Sequence, residues 1–303
     1  MCYGNLLEGI LAKIDLQLPA HALKLKANTK YLGDDYLARA NDFYTQYLRF
    51  LHQNGSDLDF SVKCYLTMLG DMAEERIKFV RSGRYSCTSF DDVQKCYYDK
   101  PEVVCNHLHG LALAQFLWFD QYERFMFFVE QLHNYRGQVN NYLEIGGGHG
   151  LYCYEALKIL DTAVIFELID TSAYSIEFGK GIINSERVNF LQKNVLEYAS
   201  DATFDFITVG EVLEHVEAPH VLLQKLKELL GRNGLAFVTT PVNAPMIDHI
   251  YLFNNVQEIR SVIQDAGLEI LQEKIIITER VSQQYAEKFK IPVMFAALIQ
   301  HKH

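Results

Sequence analysis

The 303-residue sequence lacks several features, and each absence excludes a class of protein. Its six cysteines (Cys2, Cys64, Cys87, Cys96, Cys105 and Cys153) include no C-x-x-C pair and no regular spacing. That argues against a disulfide framework or a thiolate zinc knuckle and predicts reduced thiols. No run approaches the ~20 apolar residues of a membrane span. The opening stretch MCYGNLLEGILAKIDLQLPAH carries Glu8 and Asp15 early and has no long apolar core, so it reads as a poor signal peptide. A cytoplasmic location is expected. Positive charge is also scarce, with 28 Lys+Arg against 38 Asp+Glu and a formal charge of −10. A protein that grips nucleic acid needs a clustered cationic face. The expected partner is therefore a small molecule, with neither nucleic acid nor membrane. Internal repeats and low-complexity tracts are absent too.

The sequence is rich in apolar periodicity. From Asp34 to about Leu132, apolar residues recur at three- and four-residue intervals with charges between them, which predicts helices. Residues 111 to 132, LALAQFLWFDQYERFMFFVEQL, are apolar almost all round and predict one helix buried between other elements. HNYRGQVNN reads as a linker, so a helical unit over 1–135 is expected to precede a second unit over 136–303. There the pattern changes to seven short apolar stretches: 141–145, 163–169, 188–191, 204–209, 235–240, 268–275 and 293–300. Amphipathic helical segments or turns separate the first six. This predicts an α/β, doubly wound sheet. No helix-length periodic stretch lies between the last two, which favours an antiparallel final strand.

The stretch YLEIGGGHG, 142 to 150, is the most specific feature. A dinucleotide turn reads G-x-G-x-x-G and faces a pyrophosphate. Here Gly146, Gly148 and Gly150 give G-x-G-x-G, Gly147 fills the loop, and Leu151 stands where the third dinucleotide glycine belongs. Glu144 just ahead of the loop repels phosphates and attracts an ammonium or sulfonium. With this loop, D-T-S-A-Y-S-I-E-F-G-K (170–180), F-L-Q-K-N (190–194), F-D-F-I-T-V-G-E-V-L-E-H-V (204–216) and L-G-R-N-G-L-A-F-V-T-T-P (230–241), the chain resembles the class I S-adenosylmethionine-dependent methyltransferases. The resemblance implies a seven-stranded sheet with the last strand antiparallel. It also implies S-adenosylmethionine across the carboxyl ends of the strands and S-adenosylhomocysteine as its product.

Carried over residue by residue, the resemblance implies that the glycine loop admits the methionine moiety and that Glu144 meets its amino group. Glu167 and Asp170 compete for the ribose hydroxyls; Asp170 is favoured because it precedes Ser172, a natural helix N-cap. Asn194, with Val195 beside it, stands where the family usually has an aspartate that accepts from the adenine amino group, and an amide oxygen serves the same purpose. Glu211 is expected near the methionine or the transferred methyl, with helix capping as its alternative.

Methyl transfer needs positioning, and a base only where the nucleophile holds a proton. His215 is the first candidate base, with a structural role as its alternative. His249, beside Asp248 in PVNAPMIDHIYLF, is the second. Convergence of His215, His249 and Asp248 on a metal is weighed, and no metal site is assigned. His107 and Tyr98 in the helical half, with Asp248 and Tyr251, are candidate substrate contacts. For His107 and His109 the plain expectation is one packed and one solvent-facing ring. Tyr97, Tyr98, Phe116, Trp118, Phe119 and Tyr122 read more readily as core than as a pocket. No N-P-P-Y-type turn follows the fourth strand, which demotes methylation of nucleic-acid bases or protein glutamine. The expected function is methylation of an O, N or C atom of a small metabolite, aromatic ones included. The resemblance implies that the helical unit is a lid or a homodimer face. The alternative is a non-catalytic cofactor-binding module on the same fold.

Overall fold

In the computed structural model, which describes residues 6–200 and 202–302, apolar periodicity ahead of the sheet becomes a stack of helices. They are α1 (Leu6–Gln17), α2 (Pro19–Thr29), α3 (Gly33–Gln53), α4 (Leu58–Ser82), the single turn α5 (Phe90–Val93), α6 (Pro101–Leu117) and α7 (Phe119–Tyr135). Their ends follow local chemistry. Asp57 caps α4 by accepting from Phe60 N at 2.9 Å, and Gly83 closes it at φ +72°. Cys2 lies outside the described residues, and the five described cysteines are free thiols.

The expected helix over 111–132 is two helices. Trp118 is extended (φ −103°, ψ 124°) and separates α6 from α7 without a glycine or proline to announce it. Tertiary contact overrides the helical preference: the Trp118 indole Nε1 donates to Tyr65 Oη at 2.8 Å while its own N–H still reaches Ala114 O. The linker also shrinks, because α7 runs to Tyr135 and a 3₁₀ turn carries the chain on to Gln138.

The sheet has seven strands: β1 (Asn141–Ile145), β2 (Ile165–Asp170), β3 (Val188–Gln192), β4 (Phe204–Gly210), β5 (Leu230–Val242), β6 (Leu268–Ile277) and β7 (Val293–His301). Their order is β3-β2-β1-β4-β5-β7-β6, with β7 antiparallel to both neighbours and the other pairs parallel. This is the expected class I methyltransferase architecture. Helices α8 (Leu151–Ile159), α9 (Ala173–Ile183), α10 (Pro219–Leu229) and α11 (Val256–Asp265) make the crossovers. A seven-residue helix, α12 (Gln283–Phe289), does lie between β6 and β7. It buries only Ala286, so it leaves no amphipathic stripe in the sequence.

One apolar cluster joins the helices to a face of the sheet: Phe43, Phe116 and Phe128 belong to the same core as Tyr142, Phe166 and Phe237. Phe128 of α7 packs edge-on to Tyr152, Phe206 and Phe237. The helical part is thereby packed on a face of the sheet, and its residues line one cavity together with the carboxyl ends of the strands. No described helix is long and apolar enough to cross a membrane.

Candidate active site

A cavity of about 1010 Å³ lies between the strand ends and the helices. That is at the upper end of the roughly 300–1,000 Å³ of ligand pockets, room for two small molecules together. One wall is the turn from β1 to α8. Gly146, Gly148 and Gly150 take φ of +70°, +49° and +71°, a region that disfavours side chains. A Cβ on Gly146 would stand 2.5 Å from Val212 Cγ2, and one on Gly147 2.6 Å from Leu168 Cδ1. At Gly148 a Cβ would meet nothing within 4 Å, so this residue leaves its backbone open to the cavity.

Glu144 is 2% exposed, lines the cavity, and has one carboxylate oxygen with no hydrogen-bond partner. Burial pushes its pKa up to about 8; a backbone N–H of Cys153 opposes the rise and nearby Asp170 adds to it. An unpartnered buried carboxyl is a receptor for a cationic group. Asp170 ends β2 and accepts from Ser172 N at 2.8 Å and Gly148 N at 3.4 Å. Burial raises its pKa against those two donors. Glu167, its rival, does not line the cavity; its carboxylate accepts from Tyr198 Oη at 2.5 Å. Asn194 and Val195 do line it, although Asn194 Oδ1 already accepts from Leu196 N at 3.0 Å and caps a 3₁₀ turn. These features fit S-adenosylmethionine: a glycine cradle too tight for side chains, an orphaned carboxylate oxygen for an ammonium, and an acid at the end of β2.

Glu211 does not cap a helix. It sits at φ +56°, its N–H donates to Thr239 O at 3.0 Å, and its carboxylate lies 2.6 Å from Arg124 Nη1. Arg124 is fully buried on α7. The approach is off the hydrogen-bonding direction, so the contact is an ion pair and the guanidinium nitrogens lack aligned acceptors. Sequence reasoning missed Arg124. Its signal was present: it is the one cation in the apolar run 111–132, and a buried cation requires a partner.

Four residues from distant points converge on the cavity: His107 of α6, His215, Asp248 and His249. Both Ile250 N and Tyr251 N donate to Glu214 O, at 2.8 and 2.9 Å, and so fasten the 3₁₀ turn Leu213–His215 to the loop after β5. His215 Nδ1 donates to Asp248 O at 2.9 Å, which fixes the tautomer and leaves Nε2 with its lone pair. The rings of His215 and His249 meet edge to face at 4.8 Å. Asp248 Oδ2 is 3.6 Å from His107 Nδ1 and 3.7 Å from His215 Nδ1. Burial opposes the Asp248 carboxylate, but the His107, His215 and His249 rings outweigh it and hold its pKa below the ordinary range. Burial also works against a charged His215, yet Asp248 and Glu214 raise its pKa. For His249 burial dominates, with His215 adding to it, and the pKa falls to about 3.

The remaining candidates divide. Tyr97, Tyr98, Trp118 and Phe119 line the cavity, whereas Phe116 and Tyr122 are core. A five-residue π-helical turn, Gln94–Tyr98, delivers the two tyrosines. Neither histidine of α6 is solvent-facing: His109 turns the other way and bonds Tyr47 Oη through Nδ1 at 2.7 Å. Tyr251 is not a lining residue; its ring packs on Phe253 at 4.7 Å. His149 Nδ1 accepts from Leu151 N at the start of α8, and its ring meets Phe43 of α3.

Residues 117–273, just over half the chain, match a family described as a methyltransferase domain. A ubiquinone biosynthesis O-methyltransferase from Rickettsia canadensis (strain McKiel) is 23% identical over 196 residues, covering 57% of this chain and 81% of that protein. A protein of the same description from Glaesserella parasuis serovar 5 (strain SH0165) is 54% identical over 37 residues, 12% of this chain and 16% of its own. Among solved structures, the mitomycin 7-O-methyltransferase MmcR aligns over 80% of this chain and 70% of its own with a TM-score of 0.54 at 11% identity, a likeness of fold. Coverage of 80% necessarily reaches from the sheet into the preceding helices.

Proposed function

We propose, from the premise that this chain belongs to the methyltransferase-domain family, that it transfers a methyl group from S-adenosylmethionine to a hydroxyl oxygen of a small, aromatic metabolite. The observation that carries this reading is one cavity lined both by the glycine turn and by the cluster of His107, His215, Asp248 and His249. Two relatives named for O-methyl transfer, one 23% identical over 196 residues and one 54% identical over only 37, support oxygen as the acceptor.

When bound, the cofactor supplies a methyl carbon activated by a sulfonium sulfur. The protein's contribution is placement. Gly146 and Gly148 let the main chain approach the methionine tail, and Glu144 would receive its ammonium. Asp170 would accept from the ribose hydroxyls and Asn194 from the adenine amino group. Glu211, held by Arg124, stands beside the turn that presents His215. On the opposite wall, Tyr97, Tyr98 and Trp118 offer flat apolar faces to an aromatic acceptor. His215 Nε2 is the group placed to receive the acceptor's proton, and Asp248 orients that ring from Nδ1. His249 lies against it. Helices α1 to α6 act as the cap that excludes water, which limits hydrolysis and strengthens the local electrostatics.

The test is turnover. With methyl-labelled S-adenosylmethionine and a panel of phenols, catechols and aliphatic alcohols, S-adenosylhomocysteine should accumulate only when a hydroxylated aromatic is present. Cofactor binding with no product across the panel contradicts the reading.

A further inference from the structure

The buried group of Glu214, His215 and His249 also has the donor chemistry of a metal site, and an ion held there would take the His215 Nε2 lone pair, so that coordination of the acceptor oxygen would replace the base role given above to His215. We propose that these three side chains bind one divalent first-row transition ion (the Zn²⁺, Co²⁺, Mn²⁺ class), with open coordination positions facing the cavity for an oxygen of the acceptor.

Geometry carries the proposal. One ligand atom from each of the three side chains lies within 4.8 Å of the others. Metal bonds of about 2.1 Å place cis ligand atoms about 3.0–3.4 Å apart, so small side-chain rotations close the set around an ion. The two loops that carry the donors are already tied by the pair of main-chain bonds to Glu214 O. Glu214 is fully buried; its Oε2 accepts from Thr240 Oγ1 at 2.7 Å, and its Oε1 has no partner. His249 Nδ1 is buried and equally unpartnered. Buried polar atoms are nearly always satisfied, and two vacancies in one cluster point to a missing common partner. His215 points Nε2 toward Glu214 Oε1, at 4.0 Å, because Asp248 O fixes Nδ1 as the donor. That is the outer-shell arrangement that orients metal-ligating imidazoles.

Charge leads to the same place. Arg124 pairs with Glu211, whereas among the described residues Glu214 and Asp248 pair only with imidazoles, so no fixed Lys or Arg competes for the Glu214 carboxylate. Two imidazole nitrogens with one carboxylate favour borderline transition ions over Mg²⁺ or Ca²⁺, which prefer all-oxygen shells. Three protein ligands leave at least one position open. As a choice of oxygen donors in the acceptor, this last point rests on the methyl-transfer reading; the ion site itself does not.

The experiment uses the full chain treated with EDTA and dialysed, titrated with Co²⁺ and followed by visible absorption, then with Mn²⁺, Zn²⁺ and Mg²⁺ by calorimetry. One Co²⁺ per chain is expected, with d–d bands of nitrogen and oxygen coordination. Mg²⁺ should bind at least tenfold more weakly, and Glu214→Gln and His249→Ala should each weaken Co²⁺ at least tenfold. Should Glu214→Gln fail to fold, His249→Ala decides. Wild-type protein that takes up none of the three transition ions overturns the proposal, as do sulfur-to-cobalt charge-transfer bands, which place the ion on cysteines. S-adenosylhomocysteine is titrated into the same EDTA-treated sample. Cofactor binding beside a blank metal titration removes this inference alone, whereas loss of cofactor binding removes the methyl-transfer reading.

Discussion

The two walls of the cavity solve recognition differently. The glycine-turn wall is main chain, shaped where Gly146 and Gly148 accept a backbone that side chains resist, and it carries one orphaned carboxylate oxygen on Glu144. The opposite wall is made of side chains from α6, the turn after β4 and the loop after β5, with His107, His215, His249 and Asp248 buried together. The first wall takes its shape from the backbone dihedrals of the turn between β1 and α8. The second takes His107 from α6 and is complete only while the helices stay docked on the sheet. Substitutions on the first wall should therefore lower cofactor affinity by more than their cost in stability, while those between the helices and the sheet should act on stability first.

The largest expected effect is at Gly148. A valine there forces a branched side chain into φ near +49°, at a cost of about 1–3 kcal/mol, and projects into the cavity. S-adenosylhomocysteine affinity, measured by calorimetry, should fall at least about 100-fold. If affinity survives, the turn is not the cofactor's cradle. Next comes the strut between the helices and the sheet. Arg124→Met leaves Glu211 without its partner, and because Glu211 is partly exposed the cost should be about 2–3 kcal/mol, below that of a fully buried pair. The measurement is a urea unfolding midpoint, and Arg124→Met with Glu211→Gln should recover part of the loss. Asp170→Ala should weaken S-adenosylhomocysteine about tenfold to 100-fold, while Glu167→Ala should leave affinity within about twofold because Glu167 is bonded to Tyr198 outside the cavity. Equal losses for both would reverse the assignment.

The smallest effect is pH linkage. In the ligand-free protein burial holds Glu144 protonated up to about pH 8, and an ammonium beside it favours the carboxylate. Binding should thus release a proton, so affinity should rise with pH below about 8 and flatten above it, by no more than about tenfold per unit. Calorimetry in two buffers of different ionisation enthalpy reads the proton directly, and Glu144→Gln should abolish it. The stability linkage has the opposite sign. A carboxyl raised in the folded state binds its proton more tightly than in the unfolded chain, so its contribution falls as pH rises from about 4.5 to 8.

How much of this was legible in the sequence follows the same division. The seven strands were readable because each is a short apolar run between turn residues, and Asp170 was readable because Ser172 behind it caps α9. Glu167 kept its place beside Asp170 until the register showed that β2 continues to Asp170, three residues past Glu167. The break at Trp118 was hidden because nothing local causes it; the indole bond to Tyr65 does. His215 and His249 were candidates singly, but their meeting at 4.8 Å depends on the two main-chain bonds from Ile250 and Tyr251 to Glu214, between loops far apart in the chain. Glu214 was passed over because its alternation with His215 gives no hint that the carboxylate turns inward to Thr240. The Arg124–Glu211 pair spans the two halves, where periodicity carries no information.

The most direct test of the central claim is a calorimetric titration of the intact chain with S-adenosylhomocysteine and, separately, with NADH. The account predicts one S-adenosylhomocysteine per chain in the micromolar range and no comparable heat from NADH. Tighter binding of NADH, or no binding of S-adenosylhomocysteine, would contradict it.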